Sequence, residues 1–102
     1  MADSPAGRFS VLISRVRMEE LERMADAAER AGNLPAFVRW LKELDYRLAH
    51  EPHEWGESRE TLPVIGVEVR VGTVGTITVW YGVNMEARTV FVKRFRTRGK
   101  PA

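Results

Sequence analysis

The sequence predicts an α+β domain in the order β-α-α-β-β-β, with a helical hairpin packed on a mostly antiparallel, twisted sheet. Three observations lead there. Apolar residues recur at helical intervals between Met18 and Leu48, interrupted once by "AGN" at 31–33. From residue 62 the period switches to alternation, broken by glycine-containing turns. The length of 102 residues suits one core, so residues 1–102 are expected to form a single domain, with 1–8 and 99–102 outside its packed part.

The elements follow in order. "FSVLISRV" at 9–16 is apolar and β-branched, as a first strand requires. Met18, Leu21, Met24, Ala25 and Ala28 then mark one face of a helix over 18–31, and Glu19, Glu20 and Glu22 suit the positive end of its dipole. Asn33 is the expected cap of a second helix, with Pro35 in its first turn and Leu34, Phe37, Val38, Leu41, Leu44 and Leu48 along its stripe. The short break makes the two helices an antiparallel hairpin.

In "TLPVIGVEVRVG" Val67, Val69 and Val71 fall on one side and Glu68 and Arg70 on the other. Gly72 and Gly75 are expected to bracket a hairpin turn; "TITVWYGV", the turn "NMEAR" and the last strand "TVFVKRF" follow.

Composition excludes several chemistries. There is no cysteine, hence no disulfide and no thiolate nucleophile. No apolar run reaches spanning length and the N-terminus carries no apolar leader segment, so a cytoplasmic protein is expected. No Walker or Rossmann glycine loop appears, and two histidines without a GxSxG motif cannot assemble a recognisable triad. His50 and His53 in "HEPHEWGES" sit three apart, but Pro52 interrupts them. That stretch reads as a turn ending the second helix, with Trp55 tucked onto the core, and no metal or cofactor is expected.

Charge is segregated. Residues 1–63 carry nine Lys/Arg against twelve Asp/Glu, whereas residues 64–102 carry seven against Glu68 and Glu86. Lys93, Arg94, Arg96, Arg98 and Lys100 are concentrated in "VKRFRTRGK". Such a strip marks either a footprint for a polyanion or acidic partner, or a charged strand edge that resists aggregation. On an extended strand Arg94, Arg96 and Arg98 share one side, which also holds Val90 and Val92. The strand is therefore expected to leave the core near Phe91–Arg94. Five neutralised phosphates on a single strand would give a salt slope of roughly −3.5 in log affinity. Cleaving RNA through its 2′-hydroxyl asks more: arginine can stabilise the phosphorane, but Tyr81, Lys93, His50 or His53 would have to move the protons.

With its element order, "LAHEPHEWG", "VRVG", "VWYGVNMEARTVFV" and "VFVKRFRTR", the chain over residues 9–98 resembles the RelE/ParE superfamily of type II toxin–antitoxin toxins. The resemblance implies a toxin held inactive by a cognate antitoxin, as a monomer or a toxin–antitoxin hetero-oligomer. For RelE-like members it implies a metal-independent mRNA endonuclease working on the ribosome. By position it implies catalytic roles for Arg70, Arg98 and Tyr81, while the basic strip is expected to hold the RNA backbone through Lys93, Arg94, Arg96 and Lys100. The alternatives it leaves open are a ParE-like inhibitor of DNA gyrase and a member that only binds an acidic partner. The chain departs from the family at Thr78 and Thr97, where basic residues are usual, and shows no C-terminal tyrosine.

Overall fold

In the computed structural model, which describes residues 8–97, two helices cover one face of a five-stranded sheet. The elements are β1 (Ser10–Leu12), α1 (Arg15–Arg30), α2 (Leu34–His50), β2 (Glu57–Leu62), a 3₁₀ turn (Pro63–Ile65), β3 (Val67–Val74), β4 (Ile77–Asn84) and β5 (Thr89–Thr97). The strands lie in the order β1-β5-β4-β3-β2, all antiparallel except the β1–β5 pair. The expected α+β architecture is present, with one strand more than the sequence period announced.

That extra strand, "ESRETL", has no apolar alternation because it is an exposed edge. Its only claim to be a strand is its pairing with β3, from Glu57 opposite Val71 to Leu62 opposite Val67. The first strand is shorter than expected. Ser14 adopts an extended conformation and its hydroxyl accepts the Arg17 N–H at 3.3 Å, so the helix starts at Arg15 and claims residues the β-branched run had suggested for a strand. Asn33 sits at the N-cap of α2 without a side-chain capping bond.

The core lies between helices and sheet: Phe37, Leu44 and Leu48 of α2 meet Ile77, Val79, Tyr81 and Val83 of β4 and Val90, Val92 and Phe95 of β5. Strand alternation places Thr78, Trp80, Gly82 and Asn84 on the opposite, helix-free face. Val67 and Val69 also belong to that face, yet both are buried. Phe91 covers them by crossing Gly82, where an added Cβ would lie 2.6 Å from the Phe91 ring and 3.1 Å from Val67.

β5 does not leave the core. Trp80 pairs with Arg94 and Tyr81 with Val92, so Lys93 is an extra residue in the ladder, a β-bulge. One additional residue shifts the phase of everything after it. Val90 and Val92 face the helices, Phe95 does so again, and Arg94 and Arg96 emerge on the helix-free face. Arg17 of α1 donates to the Lys93 carbonyl oxygen at 3.2 Å and pairs with Glu20 at the same distance, tying the helix to the bulge.

The β3–β4 hairpin closes on two residues, Gly75 and Thr76, while Gly72, expected in the turn, belongs to the strand. Gly75 has φ 59°, and the Trp40 indole lies where its Cβ would be. Replacing Gly75 with Ala is expected to cost about 1–3 kcal/mol, combining left-handed strain with displacement of Trp40. A urea midpoint unchanged from wild type would show that the turn relaxes freely.

Candidate nucleic-acid interface

The helix-free face is layered by the strand register. Leu12 of β1, Phe91 of β5, Gly82 of β4 and Val69 of β3 lie in one row. Beyond the bulge the next row holds Arg94, Trp80, Val71 and Glu57, and the last holds Arg96, Thr78 and Thr73. Leu12, Phe91 and Val69 give the first of these rows an apolar stripe that ends on Glu60 of β2; the rows beyond the bulge are basic, with one tryptophan in their middle.

Arg94 lies over the Trp80 ring, its guanidinium carbon 4.1 Å from the centroid. Arg96 is exposed on the next row. Among the described residues neither arginine, nor Lys93, forms an ion pair with a carboxylate. Their charge is therefore directed at solvent or a ligand. Thr73 and Thr78 share a hydroxyl–hydroxyl bond of 3.1 Å beside them. A concavity of about 730 Å³ opens here, bordered by Trp80, Arg96, Thr73, Thr78, Arg59 and the edge of Trp55. Glu57 is the acid at its rim, 3.7 Å from Arg59.

Arg70 and Tyr81 come together elsewhere, on the helix side of the sheet, directly opposite each other in the β3–β4 ladder. There the loop after α2 returns over the sheet and its carbonyls need donors. Arg70 Nε donates to the Trp55 carbonyl at 3.0 Å, Nη2 to that of Gly56 at 3.0 Å, and Nη1 to Glu68 Oε2 at 2.8 Å. The Tyr81 hydroxyl lies 2.8 Å from the Pro52 carbonyl oxygen and 2.6 Å from that of Trp55, which share its single proton. The Trp55 ring stacks on Tyr81 at 5.8 Å and rests against Gly72. Tyr81 has no exposed surface, and the Arg70 side chain retains 11%.

Burial pushes the Tyr81 hydroxyl up to about 12, against the lowering influence of neighbouring Arg70 and with a smaller upward push from Glu68. A phenol held this way stays protonated and faces the protein interior. Arg70 and Tyr81 thus form an internal clamp, separated from the exposed arginines by the thickness of the sheet. Arg98 and Lys100 lie outside the described residues. His50 stacks on Tyr46 at 4.4 Å, and His53 lies 5.8 Å from the Phe9 ring, both away from the basic rows.

Trp80 is the residue that strand reading missed. Its signal was available: alternation in "TITVWYGV" sets Thr78 and Trp80 opposite Val79 and Tyr81, leaving a large aromatic on whichever face the helices do not cover.

A second, mostly apolar groove of about 770 Å³ runs between α1, the start of α2 and the end of β5, with Met24, Ala28, Phe37, Trp40 and Phe95 in its walls. No helix among the described residues is long and apolar enough to cross a membrane.

No protein-family model matches the sequence, nor does any curated protein. The fold is similar to that of a chain in the toxin–antitoxin complex RelBE2 from Mycobacterium tuberculosis, with a TM-score of 0.60 and 19% identity over 96% of this chain and 100% of that one. It is also similar to a chain of the archaeal RelE–RelB complex from Pyrococcus horikoshii, with a TM-score of 0.54, 17% identity and coverage of 92% and 99%. At these identities the likeness is one of fold: the chain has a RelE-like architecture.

Proposed function

We propose that the chain is a RelE-like toxin that cleaves mRNA on the ribosome and is restrained by a cognate antitoxin. The observation that carries the reading is the pair Arg94 and Arg96, without acidic partners among the described residues, on the helix-free face of a RelE-like fold. Two solved complexes of that fold are toxin–antitoxin pairs, which supports a partner of the same kind here.

In this reading Lys93, Arg94, Arg96 and Lys100 hold the RNA backbone, arginine by its bidentate fork. Arg98 stabilises the scissile phosphate. The 2′-oxygen bonds to phosphorus as the P–O5′ bond breaks, its proton passing to water or a ribosomal group and O5′ taking one from the same pool. A positioned guanidinium lowers the barrier by about 3–4 kcal/mol through the charge on the phosphorane. Arg70 and Tyr81 act here by positioning, since they fix the Pro52–Gly56 loop and the strand pair under the basic rows. The antitoxin is proposed to occupy the α1–β5 groove, whose rim includes Arg96 and Thr97.

Induced expression is expected to arrest growth and to produce new 5′ ends in ribosome-bound transcripts, with Arg98→Ala lowering cleavage at least about 100-fold while the urea midpoint holds. Arrest with intact transcripts and inhibited supercoiling would transfer the assignment to gyrase; absence of toxicity would leave a binder of acidic partners. Combining Arg94→Ala with Arg96→Ala is expected to reduce the salt slope of single-strand binding by about 1.4. An unchanged slope would remove these two residues from the interface.

A further inference from the structure

We propose that Trp80, keyed by Arg94, is a stacking platform for one unpaired nucleobase, so that this face takes single-stranded RNA with a base turned toward the sheet. The inference rests on the reading that the helix-free face binds RNA, and it names what that face recognises besides phosphate.

Three features carry it. Trp80 stands on β4, the central strand, where helices leave the sheet uncovered, and it remains partly exposed although it is among the largest apolar side chains available. Arg94, directly opposite in the ladder, has its guanidinium carbon over the ring at 4.1 Å from the centroid, presenting an aromatic and a planar cation together. Both are surfaces on which single-stranded nucleic acid stacks its bases. The third feature is the surroundings: a concavity of about 730 Å³ adjoins the ring, with Arg96 and the Thr73–Thr78 hydroxyl pair along it. Backbone phosphates can thus meet Arg96 while a base meets Trp80.

The register makes the arrangement specific to the bulge. Were Lys93 paired opposite Trp80 instead of bulged, Arg94 would fall on the helix side and Trp80 would lose its cation. A duplex cannot use such a site, because its bases are already stacked on one another. Stacking alone also reads no base identity, since every base has a π-face.

The test is a titration of tryptophan emission with a 2′-O-methyl RNA hexamer, which cannot be cleaved through its 2′-oxygens, beside an abasic hexamer of equal charge and a duplex of the same sequence. The single-stranded hexamer is expected to bind and quench emission. Trp80→Phe should keep affinity within about threefold but lose the quenching, which separates this residue from Trp40 and Trp55. Trp80→Ala should weaken binding about five- to a hundredfold, to the level of the abasic strand, with the urea midpoint reporting that the fold persists. Equal affinity for the abasic strand, equal affinity for the duplex, unchanged binding by Trp80→Ala or no binding of the hexamer would each overturn the platform. Transcript cleavage reads the broader assignment separately. A protein that binds the hexamer through Trp80 but leaves ribosome-bound transcripts intact retains the platform and loses the nuclease. One that cleaves them normally while Trp80→Ala binds like wild type retains the nuclease and loses the platform.

Discussion

Removing Lys93 and Arg94 together is expected to destabilise the domain by about 3–5 kcal/mol, whereas removing Lys93 alone is expected to stay within about 1–2 kcal/mol of wild type. The contrast follows from counting residues, not from the charge. Lys93 is the extra residue of the bulge, exposed and without an acidic partner among the described residues. Without it Arg94 follows Val92 directly and still meets Trp80, so every later side chain keeps its face. Taking out Arg94 as well reverses the phase: a ladder that keeps Val92 opposite Tyr81 must turn Phe95 toward Trp80 and solvent, and Arg96 toward Val79 and the helices. Phe95 is 8% exposed and would forfeit about 2–3 kcal/mol of burial, and a guanidinium in the core without a carboxylate is costlier still. The chain can escape only by slipping the register of β5 against β4. Urea denaturation of the two variants side by side decides the matter. Coincident midpoints would mean that residue count does not set the faces of β5.

Tyr81→Phe is expected to cost about 1–3 kcal/mol and Tyr81→Ala about 3–5 kcal/mol. Phenylalanine preserves the ring against Trp55 but leaves the Pro52 carbonyl without this donor, and the Trp55 carbonyl with Arg70 alone. Alanine in addition opens a cavity at a position with no solvent exposure. The hydroxyl also predicts a pH dependence. Its folded value of about 12 lies above the ordinary 10, so between these values the unfolded chain has lost the proton that the folded chain still holds. Stability from this group is complete below pH 10 and falls as pH rises toward 12, by on the order of 2–3 kcal/mol. Tyr81→Phe should flatten that part of the stability profile. If wild type and Tyr81→Phe lose stability in parallel from pH 10 to 12, the burial argument fails.

Much of the fold was legible because its signals are local. The helical stripe of α2 and the alternation of β4 each appear within a few residues, where side-chain direction depends only on the element's own geometry. β2 was illegible for the complementary reason: "ESRETL" has only a half-buried Leu62 at its end and becomes a strand only by hydrogen bonding to β3. The last strand held a visible contradiction. Uniform alternation set Val90, Val92, Arg94 and Arg96 on one side, which no half-buried strand tolerates, and a bulge resolves it where departure from the core had been expected.

The site was less legible than the fold. Arg70 and Tyr81 read as reactive groups, but apart from Glu68 beside Arg70 their partners are backbone carbonyls 14 to 29 residues away, and main-chain acceptors leave no mark in composition or spacing. Trp80 does not stand out in the sequence, since an aromatic in a β-branched run ordinarily belongs to the core.

The sequence by itself determined the α+β class, the helical hairpin, the antiparallel succession at the C-terminal half and the concentration of positive charge there. Only the tertiary structure decided which face of the sheet the helices cover, where the extra residue of β5 is absorbed, and hence that Arg94 and Arg96 stand beside Trp80 while Arg70 turns inward. The physical reason is that periodicity is a property of neighbours along the chain, whereas the choice of face is a property of neighbours in space. A single inserted residue reverses that choice without altering the local pattern around it.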